Sequence, residues 1–240
     1  MAARTKKNAP ARNMKPFYIA LAAVAVVGVA AIVYSMNRGG GSAMATEPLD
    51  LSQIADAETL LERAQGISAG PETAPVHMIV FSDYQCPGCG HWAGTIEPLL
   101  KAEFVETGKV RYTYYDFPLV SIHQHAFLAA RAGRCANDQG RFWEFHDRTF
   151  QGQAEWSFSG GAPVDLFSRY AAEAGLAVPA FTECLRSDRH AEVVTANQLL
   201  GETLGVMGTP TVYINQRKLG DREWSDYNAV RAAIQAAGGV

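Results

Sequence analysis

The sequence predicts an α/β fold in which a mixed sheet, with helices on both sides, carries an inserted helical bundle and is preceded by one N-terminal transmembrane helix. Three observations predict it. An apolar run at residues 76–81 leads into Cys86-Pro87-Gly88-Cys89 and a helical pattern, and a β-rich run at 110–117 then closes a βαβ unit. From about 125 to 204 the chain turns into Ala-, Leu- and charge-rich helical segments punctuated by Gly140, Gly160, Gly161, Gly175 and Pro179. Strand signals return at 211–215 and near Lys218 and Leu219, followed by an Ala-rich helical stretch at 224–237.

The chain starts with a basic tail at 1–16, in which Arg4, Lys6, Lys7, Arg12 and Lys15 have no acidic counterpart. Residues 17–36 carry no charge, and as a helix they would span ~30 Å, the thickness of a bilayer's hydrocarbon core. The positive-inside bias places the tail in the cytoplasm and everything after residue 36 outside it, as a single-pass signal-anchor in the cytoplasmic membrane. A signal peptide cleaved at Ala43-Met44-Ala45 is the alternative, but the apolar run exceeds the usual signal core and lies some way from that site. Residues 37–55 begin Gly-rich and read as a flexible tether, and the compact domain is expected over 56–240.

Within that domain, 57–65 has a short helical pattern that Gly66 ends, and Gly70, Pro71 and Pro75 mark a loop. The run at 76–81 is apolar on both alternating faces apart from His77, as expected of a strand covered on both sides. After the cysteines, Trp92, Ile96, Leu99, Leu100 and Phe104 recur at helical spacing, and Pro98 predicts a kink or a break. The strands at 211–215 and 218–219 lie close enough to pair as a hairpin.

Six of the 21 lysines and arginines precede residue 39, whereas none of the 24 acids does. The exported part is therefore acidic without a basic cluster, which argues against nucleic-acid binding. Four cysteines in an exported domain fit an oxidising compartment.

A Cys-x-x-Cys at a strand-to-helix turn reads as a redox dithiol or as half of a zinc site. Zinc sites of four cysteines pair two such motifs, whereas Cys135 and Cys184 are isolated. The redox reading predicts that N–H groups and the dipole at the helix start lower the pKa of an accessible Cys86, which attacks as thiolate while Cys89, one turn on, closes the internal disulfide. His91, His123 and His125, and the aromatic set Phe142, Trp143, Phe145 and Phe150, are read as surface, loop or capping, and core residues, without catalytic roles.

Three separated segments carry a family resemblance: Phe81-Ser82-Asp83-Tyr84-Gln85-Cys86-Pro87-Gly88-Cys89, the run from Cys135 through Asn137-Asp138-Gln139-Gly140 to Glu144, and Gly205-Val206-Met207-Gly208-Thr209-Pro210-Thr211. Over roughly 66–237 the chain resembles the DsbA-like thiol-disulfide oxidoreductases, whose thioredoxin fold holds a helical insertion. The resemblance implies a cis Thr209–Pro210 bond facing the dithiol, with Thr209 main-chain groups pairing with an extended substrate segment and the proline keeping metal off the sulfurs. It also implies that Pro87 and Gly88 tune the potential and that no cofactor or metal is needed. A structural disulfide between Cys135 and Cys184 is expected, contributing ~4 kcal/mol for a loop of about 50 residues. One departure stands out: apolar Val80 occupies the place of a buried acid that some relatives carry, and the direction of the nearby Asp83 side chain is not readable from sequence.

The expected activity is oxidation of cysteine pairs in exported proteins, with reoxidation by a membrane partner of the DsbB or vitamin K epoxide reductase kind implied by the resemblance. A reductase or isomerase kept reduced by a membrane electron donor is the second reading. A non-enzymatic metal- or peptide-binding thioredoxin-fold protein is the third, and it lacks the Met- or His-rich spacing that copper delivery would favour.

Overall fold

The computed structural model describes residues 44–54 and 56–238. The basic tail, the apolar stretch at 17–36 and the first part of the tether lie outside them. Among the described residues, no helix is long and apolar enough to cross a membrane.

A five-stranded sheet is built from β1 (Ile67–Ala69), β2 (Val76–Ser82), β3 (Val110–Asp116), β4 (Thr211–Ile214) and β5 (Arg217–Lys218), in the order β1-β3-β2-β4-β5. β2 and β3 run parallel, with Val80 opposite Tyr114, whereas β4 lies antiparallel to β2, with Phe81 opposite Thr211. Central β2 is apolar on both faces because both are covered: Val76, Met78, Val80 and Phe81 are all buried. β4 and β5 form the expected hairpin, turned by Asn215 at a positive φ of 52°. β1 pairs antiparallel with β3 at the sheet edge and was not anticipated, since three residues between glycines are too few to display alternation.

Helix α1 (Ala57–Arg63) is capped by Asp56, whose carboxylate accepts the N–H of Thr59 at 2.7 Å. Helix α2 opens at Pro87–His91 and continues through Trp92–Ile96, Glu97–Leu100 and Lys101–Val105. Pro98 neither stops nor divides it. Proline has no N–H to give, and the preceding turn, Trp92–Ile96, widens to a π-helical one in which the N–H of Glu97 reaches the Trp92 carbonyl.

The insertion consists of α3 (Ala126–Asn137), α4 (Phe142–Gln151), α5 (Gln153–Trp156), α6 (Val164–Glu173), α7 (Val178–Arg186) and α8 (Ala191–Thr203). Phe142, Phe145 and Phe150 of α4 are core residues and Trp143 packs against them. A disulfide joins Cys135 of α3 to Cys184 of α7, with Cα atoms 5.9 Å apart. At the end of β3, buried Asp116 takes the Arg134 guanidinium at 2.5 Å and the Asn197 amide at 3.0 Å, so one carboxylate holds α3 and α8 to the sheet. Helix α9 (Tyr227–Gly238) closes the fold by burying Val230 and Ile234.

Residues 44–54, expected to belong to a flexible tether, lie against the domain. The Leu49 N–H donates to Thr195 Oγ1 at 3.0 Å, and Leu51 is buried with Leu60, Ala64, Ala196 and Leu200. Fully buried Arg131 reaches the carbonyls of Ala45, Ser187 and Arg189. Leu51 and Ile54, with Met44 and Ala45 before them, carry the apolar surface that draws this segment in.

Candidate active site

Cys86 sits where β2 ends and α2 begins. It is the N-cap, with extended backbone (φ −71°, ψ 125°), and Pro87 is the first helical residue, where the missing N–H costs nothing. The Cys86 carbonyl accepts the N–H of Gly90 at 3.0 Å and so closes the first turn, which stacks Cys89 beneath Cys86. The two sulfurs are free thiols in different surroundings: Cys89 is wholly buried, whereas Cys86 keeps 9 % of its surface exposed. That opening is narrower than sequence suggests. A Cβ added at Gly88 would lie 3.2 Å from Pro210 Cδ and 3.3 Å from the Trp224 ring, so these two side chains close over the motif.

The Thr209–Pro210 peptide is cis and faces the cysteines, with the Cys86 thiol donating to the Thr209 carbonyl at 3.3 Å. The pKa of Cys86 falls from 9.0 to about 5. The largest cause is the Cys89 thiol, which donates to the Cys86 sulfur; burial opposes it, and the Thr209 side chain and the N–H groups of Cys89 and Gly88 add to it. Sequence reasoning credited the helix start, and the structure adds a larger contribution from the partner thiol. Cys89 moves the other way: burial, the bond to Cys86 and the charge of Cys86 push its pKa well up. The reduced dithiol thus ionises first at Cys86, while Cys89 holds its proton.

Several supporting residues were not singled out by the motif. Gln153 in α5 donates to the carbonyls of Tyr84 and Cys86, both at 2.8 Å. The Gln85 amide accepts the N–H of His125 at 2.8 Å and donates to the Ser157 carbonyl at 2.7 Å. Together they tie the motif's loop to the insertion, which explains why the insertion belongs to the site rather than merely decorating it. Asp83, whose direction sequence left open, is buried and turns toward His123, with Oδ2 2.7 Å from Nδ1.

Val80 lies in the core, and a different carboxylate is buried nearby. Glu97 of α2 accepts from the Tyr112 hydroxyl at 3.0 Å, which accepts in turn from Trp92 Nε1 at 3.2 Å, and Lys101 Nζ lies 2.5 Å from Glu97. The Glu97–Lys101 spacing of four residues reads from sequence as a surface pair, which hid it. Among the described residues, donors able to share a metal ion gather at Cys135, Cys184 and His190 and at Glu97, His146 and Asp147. The first set is spent in a disulfide and the second already holds the Lys101 ammonium. Neither includes Cys86 or Cys89.

Beside Cys86, a cavity of about 410 Å³ is lined by Gln85, Pro87, His123 and the strongly exposed Ile122 and Phe158, among others. A thiol pair on a helix's first turn, one sulfur slightly exposed and the other wholly buried, opposite a cis X–Pro bond on a central sheet, defines the thioredoxin class of protein.

Comparisons with known proteins agree. A family model described as "Thioredoxin" matches residues 62–236. The chain is 30% identical over 173 residues to the "Probable disulfide bond formation protein D" of Bacillus anthracis, covering 70% of this chain and 76% of that one. It is also 35% identical over 170 residues to "Na(+)/H(+) antiporter NhaA 3" of Salinispora tropica, covering 70% of this chain and 24% of the antiporter. It thus spans about a quarter of that relative. The crystal structure of oxidised BdbD from Bacillus subtilis shares the fold with a TM-score of 0.66 at 21% identity, over 83% of this chain and all of that one. Wolbachia pipientis α-DsbA1 does so at 0.65 and 22% identity, over 73% and 92%. The chain belongs to the thioredoxin family and, within it, to the DsbA-like thiol-disulfide oxidoreductases.

Proposed function

We propose that the protein is an extracytoplasmic, membrane-anchored thiol-disulfide oxidoreductase that oxidises cysteine pairs in exported proteins. The observation that carries this reading is the asymmetry of the dithiol: Cys86 is acidified to about 5 while Cys89 is buried with its pKa raised. A stabilised Cys86 thiolate favours the reduced protein, and a protein whose reduced form is favoured is an oxidant in its disulfide form.

The cycle starts from a Cys86–Cys89 disulfide. A substrate thiolate attacks Cys86 Sγ, the bond to Cys89 breaks, and Cys89 leaves with the electron pair and takes up a proton, as its raised pKa favours. A second substrate thiolate then attacks the substrate sulfur of the mixed disulfide, and Cys86 leaves as thiolate. Two electrons pass from the substrate thiols to the dithiol, and the substrate departs with its own disulfide. Thr209 supports substrate binding in this reading: once Cys86 is a thiolate its hydrogen bond to the Thr209 carbonyl is gone, and that carbonyl is free to accept a substrate N–H. Exposed Ile122, Phe158 and Met207 suit apolar side chains flanking the substrate cysteine.

The uncharged stretch at 17–36 behind a basic tail supports the anchor, and the Cys135–Cys184 disulfide fits an oxidising compartment. Reoxidation then falls to a membrane partner of the DsbB or vitamin K epoxide reductase kind. Titrating the full chain against a glutathione buffer tests the direction. A potential near that of strong oxidants, about −120 mV, is expected, and one near −270 mV would assign it to reduction instead.

A further inference from the structure

Asp83 places a carboxylate three residues ahead of Cys86, and a negative charge there works against a thiolate. The Asp83 side chain is wholly buried, and each oxygen has a partner: Oδ1 accepts the N–H of Gln85 at 2.7 Å, and Oδ2 accepts the N–H of Leu119 at 2.8 Å and meets His123 Nδ1 at 2.7 Å. The same residue's main-chain N–H donates to Cys89 Sγ at 3.4 Å. Asp83 therefore touches the buried sulfur with its backbone and an imidazole with its side chain. His123 in turn lines the 410 Å³ cavity together with Gln85 and Pro87, the residues on either side of Cys86. Neither Pro87 nor Gly88 can supply a positive charge, so the motif has no cation of its own.

We propose that His123, held as an imidazolium by Asp83, is a positioning residue that neutralises the buried carboxylate and gives Cys86 the cationic neighbour its own motif lacks. The proposal rests on Cys86 and Cys89 being the redox pair. It acts when the mixed disulfide opens: the bond between Cys86 and the substrate sulfur breaks, the electron pair stays on Cys86 Sγ, and the imidazolium stabilises that anion without transferring a proton.

The groups that set the charge of the imidazole are Asp83, from the loop after β2, and Cys86, at the start of α2; Gln85 and Gln124 beside it are neutral. The hydrogen bond to Asp83 raises the pKa of His123 most, burial opposes it, and the charges of Asp83 and Cys86 add to the rise. The cation is thus present below that raised value, and its contribution disappears as pH climbs through it.

The test uses the full chain in detergent, as wild type, His123→Ala and His123→Gln, with insulin reduction, Cys86 thiolate absorbance and the redox potential measured on each. Glutamine fills the space and retains a donor without the charge. Both variants should raise the Cys86 midpoint by about one unit. Their disulfide should become roughly tenfold less oxidising, a fall of about 30 mV. The wild-type potential should show a break with pH at the His123 titration that both variants lack. In Asp83→Asn/His123→Gln, where neither charge remains, the midpoint should return toward wild type. His123→Gln with an unaltered midpoint and potential would overturn the proposal. Wild type that fails to reduce insulin would remove the redox reading beneath it.

Discussion

The Cys86 thiol donates to the Thr209 carbonyl across 3.3 Å, joining the start of α2 to the loop before β4. Strand β2 ends beside that loop because Phe81 stands opposite Thr211 in the sheet. The contact is thus a product of strand register, and a one-residue slip of β4 would turn its side chains to the opposite face.

Replacing either sulfur should separate the two halves of the cycle. Cys86→Ser should abolish exchange in an insulin-reduction assay, since no nucleophile or electrophilic sulfur remains at the opening. Cys89→Ala should retain attack of the Cys86 thiolate on a client disulfide, releasing one client thiolate, but lose resolution, so mixed disulfides with client cysteines accumulate on non-reducing gels.

The reduced protein should gain stability over part of the acid-to-neutral range. The folded pKa of Cys86, about 5, lies below its ordinary value of 9.0, so its contribution is complete above 9 and declines as pH falls toward 5. Cys89 stays protonated across that window because its pKa is raised, and it adds no slope there. Melting the reduced and oxidised forms between pH 4 and 8 should give a difference that widens with pH in favour of the reduced form.

Asp116→Asn should unfold the insertion from the sheet before it disturbs the chemistry. Buried Arg134 would lose its carboxylate partner, and breaking one side of such a pair costs about 3–5 kcal/mol. Thermal unfolding should drop accordingly, while the Cys86 titration of the protein that remains folded stays where it was.

Strands β2, β3 and β4, the α2 start and the helical insertion could be read from sequence because each announces itself locally, by apolar runs, by Cys-Pro-Gly-Cys and by helical spacing. What escaped depends on contacts between distant segments. Asp83 and His123 meet only because the loop after β3 folds back over the α2 start, so His123 looked like a loop residue. Gln153 and Gln85 are ordinary polar side chains until the insertion is laid beside the motif. Pro98 was expected to break or kink α2, but the widened turn at Trp92–Ile96 accommodates it. The segment at 44–54 shared a glycine-rich neighbourhood, and only Leu51 and Ile54 marked where it returns to the core.

The central claim is that Cys86 is an acidic sulfur above a protonated one. Following thiolate absorbance of the fully reduced chain from pH 3 to 11, with Cys86→Ser to assign the first step by its loss, tests it most directly. One thiolate should form with a midpoint near 5 and the second only at strongly alkaline pH. Two thiols ionising together near the ordinary value of 9.0 would contradict it.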